Sequence, residues 1–271
     1  MIKVIGFNAG AVGDLVMMTA LTRQFKKENS DSYFIFGIGN RYAHIVSLFY
    51  NHSFIDDIRI WSSYDEWPVY EDIKYIIEKK IDKVYNAMPD HFDELWYNKR
   101  HYIQEHGLIH GFSQIDDLTC ILNPYFGAIK DCDKVITLSM FPQFDKGQKK
   151  SLSLNKLEEL CLNIKKLGFL PIQLGGKYEQ KLENAEKPDF SMLEAARLLY
   201  SSRLHITADT SFSWISSSYK HLTIGVYTNN LPYMIDSWSH RPINSNAYYF
   251  HRDNLENLAI EEIIIKIKEL I

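Results

Sequence analysis

Cysteine is scarce: Cys120, Cys132 and Cys161 are the only three in 271 residues. They form no C-x-x-C spacing and are odd in number, which excludes a disulfide framework and a cysteine zinc cluster. Excess basic charge is absent too, because 30 Lys plus Arg against 34 Asp plus Glu leave a net charge of -4. Nothing global draws such a chain to nucleic acid or to an anionic bilayer, so an anionic ligand has to be met locally. Long apolar runs are also missing: no window of about 18 apolar residues offers a membrane span, and the apolar start is too short for a signal peptide. These absences lead us to expect a chain kept in a reducing cytoplasm. Hydrophobic residues at 46%, charged residues at 24% and aromatics at 14% exclude disorder or a coiled coil as whole-chain descriptions. The length suits two modest domains.

Strand-like and helix-like segments alternate along the chain. An apolar run at residues 2–8 leads through a glycine turn into a helical pattern with Leu15, Met18, Leu21, Thr22 and Phe25 on one face. Strands are predicted at 33–38, 58–61 and 83–88, the last one buried, and helices at 42–49 and 70–80. Residues 89–114 break the rhythm, with Trp96, Tyr97 and Tyr102 among His91, Lys99, Arg100, His101, His106 and His110. They fit a ligand-facing loop or an amphipathic helix whose charges are solvated. The alternation restarts with strands at 134–140, 169–174, 204–208 and 222–227 and helices at 154–167, 192–200 and from 211. The expected class is α/β, with two Rossmann-like domains, 1–133 and 134–250, facing across a cleft, and an amphipathic helix within 251–271 bracing them. Ligands of such sheets bind beside the carboxyl ends of the strands.

Two strand-to-helix turns carry candidate chemistry. Gly10-Ala-Val-Gly13-Asp14 permits close backbone approach at a helix N-terminus, and its alternative reading is an ordinary turn with Asp14 favoured by the helix dipole. It lacks the G-x-G-x-x-G spacing and the acidic residue of a dinucleotide fingerprint, which disfavours a nicotinamide or flavin oxidoreductase. Asp209-Thr210-Ser211-Phe-Ser213 crowds hydroxyls where helix N–H groups lack partners, suiting a diphosphate or, alternatively, plain N-capping. Asp131-Cys-Asp133 has a D-x-D spacing but precedes a strand, so we read it as an exposed acidic turn. His44, His52 and His205 have no metal-ligand spacing, and His205 reads as a hydrogen-bonded structural residue. No metal is implied.

Taken in order, the glycine-aspartate turn followed by Thr19-Ala-Leu-Thr, Ile172-Gln-Leu-Gly-Gly176 with Glu179, Asp209-Thr-Ser-Phe-Ser, Thr223-Ile-Gly-Val-Tyr, and Trp238 with Pro242 resemble glycosyltransferase family 9, the lipopolysaccharide heptosyltransferases of GT-B fold. The resemblance implies an inverting, metal-independent transfer of a heptose or related hexose from a nucleoside diphosphate sugar, an ADP-sugar being favoured, to a hydroxyl of a surface-glycan or lipid-linked acceptor. No further cofactor and no nucleic acid enter, and the enzyme would work in the cytoplasm or in transient association with the inner membrane face. Asp14 would be the general base. Gly13, Lys149 or preferably Lys150, Gly175, Gly176, Asp209, Thr210, Ser211 and Ser213 would hold the donor. His91, Arg100 and His101 are candidates for the acceptor from the ligand-facing reading of residues 89–114, not from the resemblance. The chain departs from the family at Trp214, where a histidine is usual, and at Ser211, where a glycine is usual. A sugar-nucleotide epimerase or hydrolase of the same fold, or a nucleotide-sugar-binding protein without turnover, are the competing expectations.

Overall fold

A computed structural model describes residues 3–8, 11–62, 70–86, 101–109, 111–112, 114–124, 126–141, 150–229 and 241–271. The chain divides into two compact units, Met1–Tyr125 and Phe126–Ile271.

In the first unit β1 (Lys3–Asn8), β2 (Tyr33–Gly39), β3 (Asp57–Trp61) and β4 (Lys83–Asn86) form a parallel sheet in the order β3-β2-β1-β4. Strand β1 runs in register from Lys3 opposite Tyr33 to Asn8 opposite Ile38. Parallel neighbours require a crossover, which α1 (Val12–Glu28) supplies between β1 and β2. Asp14 in its first turn and Lys26 and Lys27 in its last oppose the helix dipole. Its residues from Leu15 to Thr22 are buried, and Phe25 meets Phe34 with ring centroids 5.4 Å apart. The helix expected at 42–49 is a 3-10 helix, Asn40–Phe49, that buries Ile45, Leu48 and Phe49. The described helices of this unit are completed by α2 (Tyr70–Glu78) and α3 (Tyr102–Ile109).

Two expectations are corrected here. Strand β4 is not a buried strand over its described side chains: Lys83 and Val84 are exposed, and β4 is one of the two edge strands among the four described. Nor are the polar groups around α3 solvated, since His101, Glu105 and His106 are buried. The helix packs against α1, and a Cβ on Gly107 would come 2.6 Å from Ile115, so that face has no room for water.

The second unit is a five-stranded parallel sheet, β6-β5-β7-β8-β9, of β5 (Val135–Ser139), β6 (Leu170–Gln173), β7 (Leu204–Thr207), β8 (Thr223–Thr228) and β9 (Ala247–Arg252). Side chains alternate between faces along each strand. Ile136, Leu138, Leu204, Ile206, Ile224 and Val226 join α4 (Leu154–Lys166) and α7 (Ile260–Leu270) in an aliphatic core. The opposite set, Thr137, Ser139, His205, Thr207, Thr223 and Tyr227, is polar and equally buried. α5 (Met192–Ser201) starts from a reciprocal cap in which Ser191 Oγ accepts from the Glu194 N–H and the Glu194 carboxylate accepts from the Ser191 N–H. α6 (Ser211–Ser218) follows β7. Strand β9 is absent from the sequence reading; Tyr249 lies opposite Gly225, whose missing Cβ leaves space for that ring.

Residues on either side of the unit boundary are anchored differently. Arg23 binds Asp117 and Thr119, and Thr19 Oγ1 accepts the Ile121 N–H at 2.8 Å, all within the first unit. In the second, the Ile129 N–H donates to Ser201 Oγ at 2.6 Å, and Phe126 packs on Tyr200 and Tyr219. The units therefore meet at 125/126 rather than at the expected 133/134. The C-terminal helix, expected to brace two domains, buries Ile260, Ile263 and Ile267 in the core of the second unit.

Candidate functional site

The carboxyl ends of β5 and β7 carry a ladder of hydroxyls. Ser139 Oγ bonds Thr210 Oγ1 at 2.9 Å, and Thr207 Oγ1 lies 3.2 Å from the same Thr210 oxygen. Thr210 precedes α6 as its N-cap residue, yet its hydroxyl turns back to the strands and makes no cap to the helix. Ser213 donates to the Thr210 carbonyl at 2.6 Å and is buried in the first turn, while Ser211 opens the helix half-buried. A helix start without a side-chain cap is a natural anion site, since its first N–H groups and the dipole both favour negative charge. A cation stands beside it. Lys150 Nζ lies 3.0 Å from Asp209 Oδ2, with the two side chains only 12% and 13% exposed. The structure thus joins two residues 59 positions apart that the sequence nominated separately.

Tyr227, at the carboxyl half of β8, is buried beside this pair. Burial first, then the Asp209 charge, holds its phenol well above the ordinary range, so it is a neutral hydroxyl. Arg241 stacks on Tyr249, 4.7 Å from its ring centroid, and bonds His251 Nε2 at 3.0 Å.

The Gly175 and Gly176 loop follows β6. Glu179 Oε1 accepts the Gly176 N–H at 2.9 Å, and Lys187 Nζ donates to the carbonyls of Gly176 at 2.8 Å and Glu179 at 2.6 Å. Burial raises the Glu179 carboxyl above its ordinary range, opposed by the Gly176 N–H and the Lys187 charge. A Cβ on Gly175 would lie 1.8 Å from Glu179 Oε2, so glycine there is what lets the carboxylate reach the backbone.

In the first unit, Asp14 sits on α1 with Oδ2 accepting the Ala11 N–H at 2.7 Å. Ala11 offers no side-chain acceptor in return, so the cap is one-sided. Gly13 is buried in the same turn. Of the nominated acceptor residues only His101 is described; it is 2% exposed, and its Nδ1 accepts the Ile103 N–H at 3.3 Å. His91, Arg100, Lys149 and Trp238 lie outside the described residues.

His205 is hydrogen-bonded to Thr137 Oγ1 at 3.0 Å, a structural histidine as expected. Burial lowers its pKa to about 3, with His221 nearby adding to the effect. Asp131 and Asp133 are exposed on a turn around buried Cys132. Among the described residues no group of three His, Cys, Asp or Glu side chains could hold a metal ion. Sequence reasoning missed Ser139 and Lys187. Ser139 had a signal, a hydroxyl closing an otherwise apolar Val-Ile-Thr-Leu-Ser strand, whereas Lys187 had none.

No family model and no curated protein matches the sequence. Solved structures do match the fold. The ADP-heptose lps heptosyltransferase II of E. coli is similar over 100% of this chain and 98% of its own, at a TM-score of 0.72 and 11% identity. A family 9 glycosyltransferase from Veillonella parvula matches over 99% and 96%, at 0.75 and 14%. The E. coli heptosyltransferase WaaC, solved with ADP, matches over 100% of both chains, at 0.67 and 15%. The fold is that of the GT-B glycosyltransferases. At these identities the likeness is one of architecture, and it agrees with the α/β class and the resemblance read from the motifs. Among the described residues no helix is long and apolar enough to cross a membrane.

Proposed function

We propose that the chain is an inverting, metal-independent glycosyltransferase that moves a heptose or related hexose from a nucleoside diphosphate sugar to an acceptor hydroxyl on a surface-glycan or lipopolysaccharide precursor. The observation that carries this reading is the Lys150–Asp209 pair beside the uncapped start of α6, in a fold shared with an enzyme solved with ADP. In the reaction the acceptor oxygen attacks the anomeric carbon as its bond to the diphosphate breaks. The hydroxyl proton passes to the Asp14 carboxylate, and the departing electron pair goes to the diphosphate. Lys150 and the first N–H groups of α6 meet the charge that develops there, in a setting fixed before the substrate arrives. Asp209 holds the ammonium in place, and Thr210 is held by Ser139 and Thr207. The neighbour solved with ADP favours an ADP-sugar, and a lipid-linked acceptor fits an enzyme working in the cytoplasm at the inner membrane face.

Calorimetric titration with ADP, UDP, GDP, CDP and dTDP, with magnesium and with EDTA, tests the donor half. One diphosphate should bind selectively and equally well in EDTA, and Lys150→Ala should weaken it about 10-fold or more, the worth of a charge-assisted contact. Absence of binding overturns the reading. One observation favours a second reading, a nucleotide-sugar-binding protein without turnover: Trp214 is buried inside α6. Retained nucleotide affinity with no product from any donor and acceptor pair would establish it.

A further inference from the structure

The most exposed large apolar side chain among the described residues is Tyr178, 91% exposed. Exposed apolar side chains are common and need no special reason. This one differs in how its backbone is held. Residues 176–179 close a turn through the Glu179 N–H and the Gly176 carbonyl at 3.0 Å, with Lys177 and Tyr178 at its tip. The base of the turn is clamped by Glu179 on the Gly176 N–H and by Lys187 on both carbonyls. Just beyond it, buried Gln173 donates to the Gln180 carbonyl at 2.8 Å and accepts the Leu182 N–H at 3.0 Å. Three side chains thus hold a turn whose tip points an aromatic ring into solvent. Lys177 Nζ sits 4.9 Å from the centroid of that ring, which leaves the other face open.

The turn leaves the carboxyl end of β6, the end at which open parallel sheets bind ligands. In the order β6-β5-β7 it lies two strands from the Lys150–Asp209 pair, a lateral distance of about 10 Å at roughly 4.8 Å per strand. That span is within reach of the base of a nucleoside diphosphate whose phosphates would lie at α6.

We infer that Tyr178 is a stacking platform for the base of the donor nucleotide, presented on a turn clamped by Glu179 and Lys187. The inference rests on the nucleotide-sugar reading of the second unit. Every nucleobase has a π-face, so the platform adds affinity without choosing the base.

The test titrates the full-length protein and its Tyr178→Ala and Tyr178→Phe variants with ADP, GDP, UDP and inorganic pyrophosphate. Tyr178→Ala should weaken each nucleoside diphosphate that binds by about 5- to 150-fold, the range set by stacking on an aromatic side chain. Tyr178→Phe should stay within about 2-fold, and pyrophosphate should bind all three proteins alike. Equal nucleoside diphosphate affinity in Tyr178→Ala and the wild type overturns the platform while leaving the nucleotide reading intact. Equal loss for pyrophosphate overturns it too, because the turn would then act on the phosphates. Should no nucleoside diphosphate bind the wild type, the nucleotide reading itself falls and takes the platform with it. Matching melting temperatures exclude misfolding as the cause of any loss.

Discussion

The two units grow from the same strand and helix alternation but use buried polar groups differently. In the first unit several are struts between segments: Thr19 holds the Ile121 N–H, Asp72 holds the Ser62 N–H at 2.9 Å, and His52 Nε2 bonds the Ile121 carbonyl at 3.0 Å. In the second they cover one side of the sheet, from Thr137 and His205 through Ser139 and Thr207, and lead to a charged pair at the strand ends. A strut is satisfied at both ends and serves stability alone. A polar face that ends in a charged pair and a helix start without a side-chain cap is where we place the donor reading.

The sharpest test of this contrast lies at Asp14, a candidate in the first unit that is more than a strut. Asp14→Asn keeps an oxygen to accept the Ala11 N–H, so the melting temperature should move little. Transfer should fall about 10²- to 10⁴-fold, the usual worth of a general base. Full activity would reduce Asp14 to a cap.

Acid separates the units next. Burial lowers His52 to about 4 in the first unit, and His205 and His221 to about 3 and about 4 in the second. These folded values lie below the unfolded value near 6.5, so the unfolded chain binds more protons in between. The stability is fully present above pH 6.5 and is lost as the pH falls toward 4. At pH 5 the loss is about 2 kcal/mol for each histidine. Hydrogen exchange at pH 7 and pH 5 should show protection lost around His52 in the first unit and around His205 and His221 in the second. Unchanged protection there would mean that these histidines do not set the acid response.

A strut and a clamp give smaller effects. Thr19→Val leaves the Ile121 N–H without its acceptor and should cost about 1–3 kcal/mol in chemical denaturation, with nucleotide binding unchanged. Gly175→Ala pushes the Glu179 carboxylate off the Gly176 N–H; because a flexible side-chain end yields, the fold should survive with a loss of about 1 kcal/mol. Nucleotide affinity should fall about 5-fold in a titration, and an unchanged value would detach that loop from the ligand.

The alternation and both turns were legible because a parallel sheet buries each strand as a short apolar run between glycine or hydroxyl punctuation. Val-Ile-Thr-Leu-Ser and Leu-His-Ile-Thr announced β5 and β7 in this way. Strand β9 did not, since Ala-Tyr-Tyr-Phe-His-Arg has aromatic β-formers but no apolar block and precedes an acidic stretch. The helix at 40–49 was recognisable as helical but not as 3-10, because the two share their first turn of apolar spacing. Local charge misled at α3, where His101, Glu105 and His106 are buried by packing against α1, a tertiary fact that periodicity does not carry. The same limit hid the Lys150–Asp209 pair, whose members meet only when β5 and β7 lie side by side.

The anchors on either side of residue 125 decide how this protein can be divided for separate expression. A fragment beginning at residue 134 would discard the Ile129 N–H on Ser201 and the Phe126 ring, uncovering Tyr200 and Tyr219 as an aromatic patch that invites aggregation. A cut after Tyr125 leaves Arg23 with Asp117 and Thr119 on one product and Phe126 with its tyrosines on the other. Each half then carries its own seal.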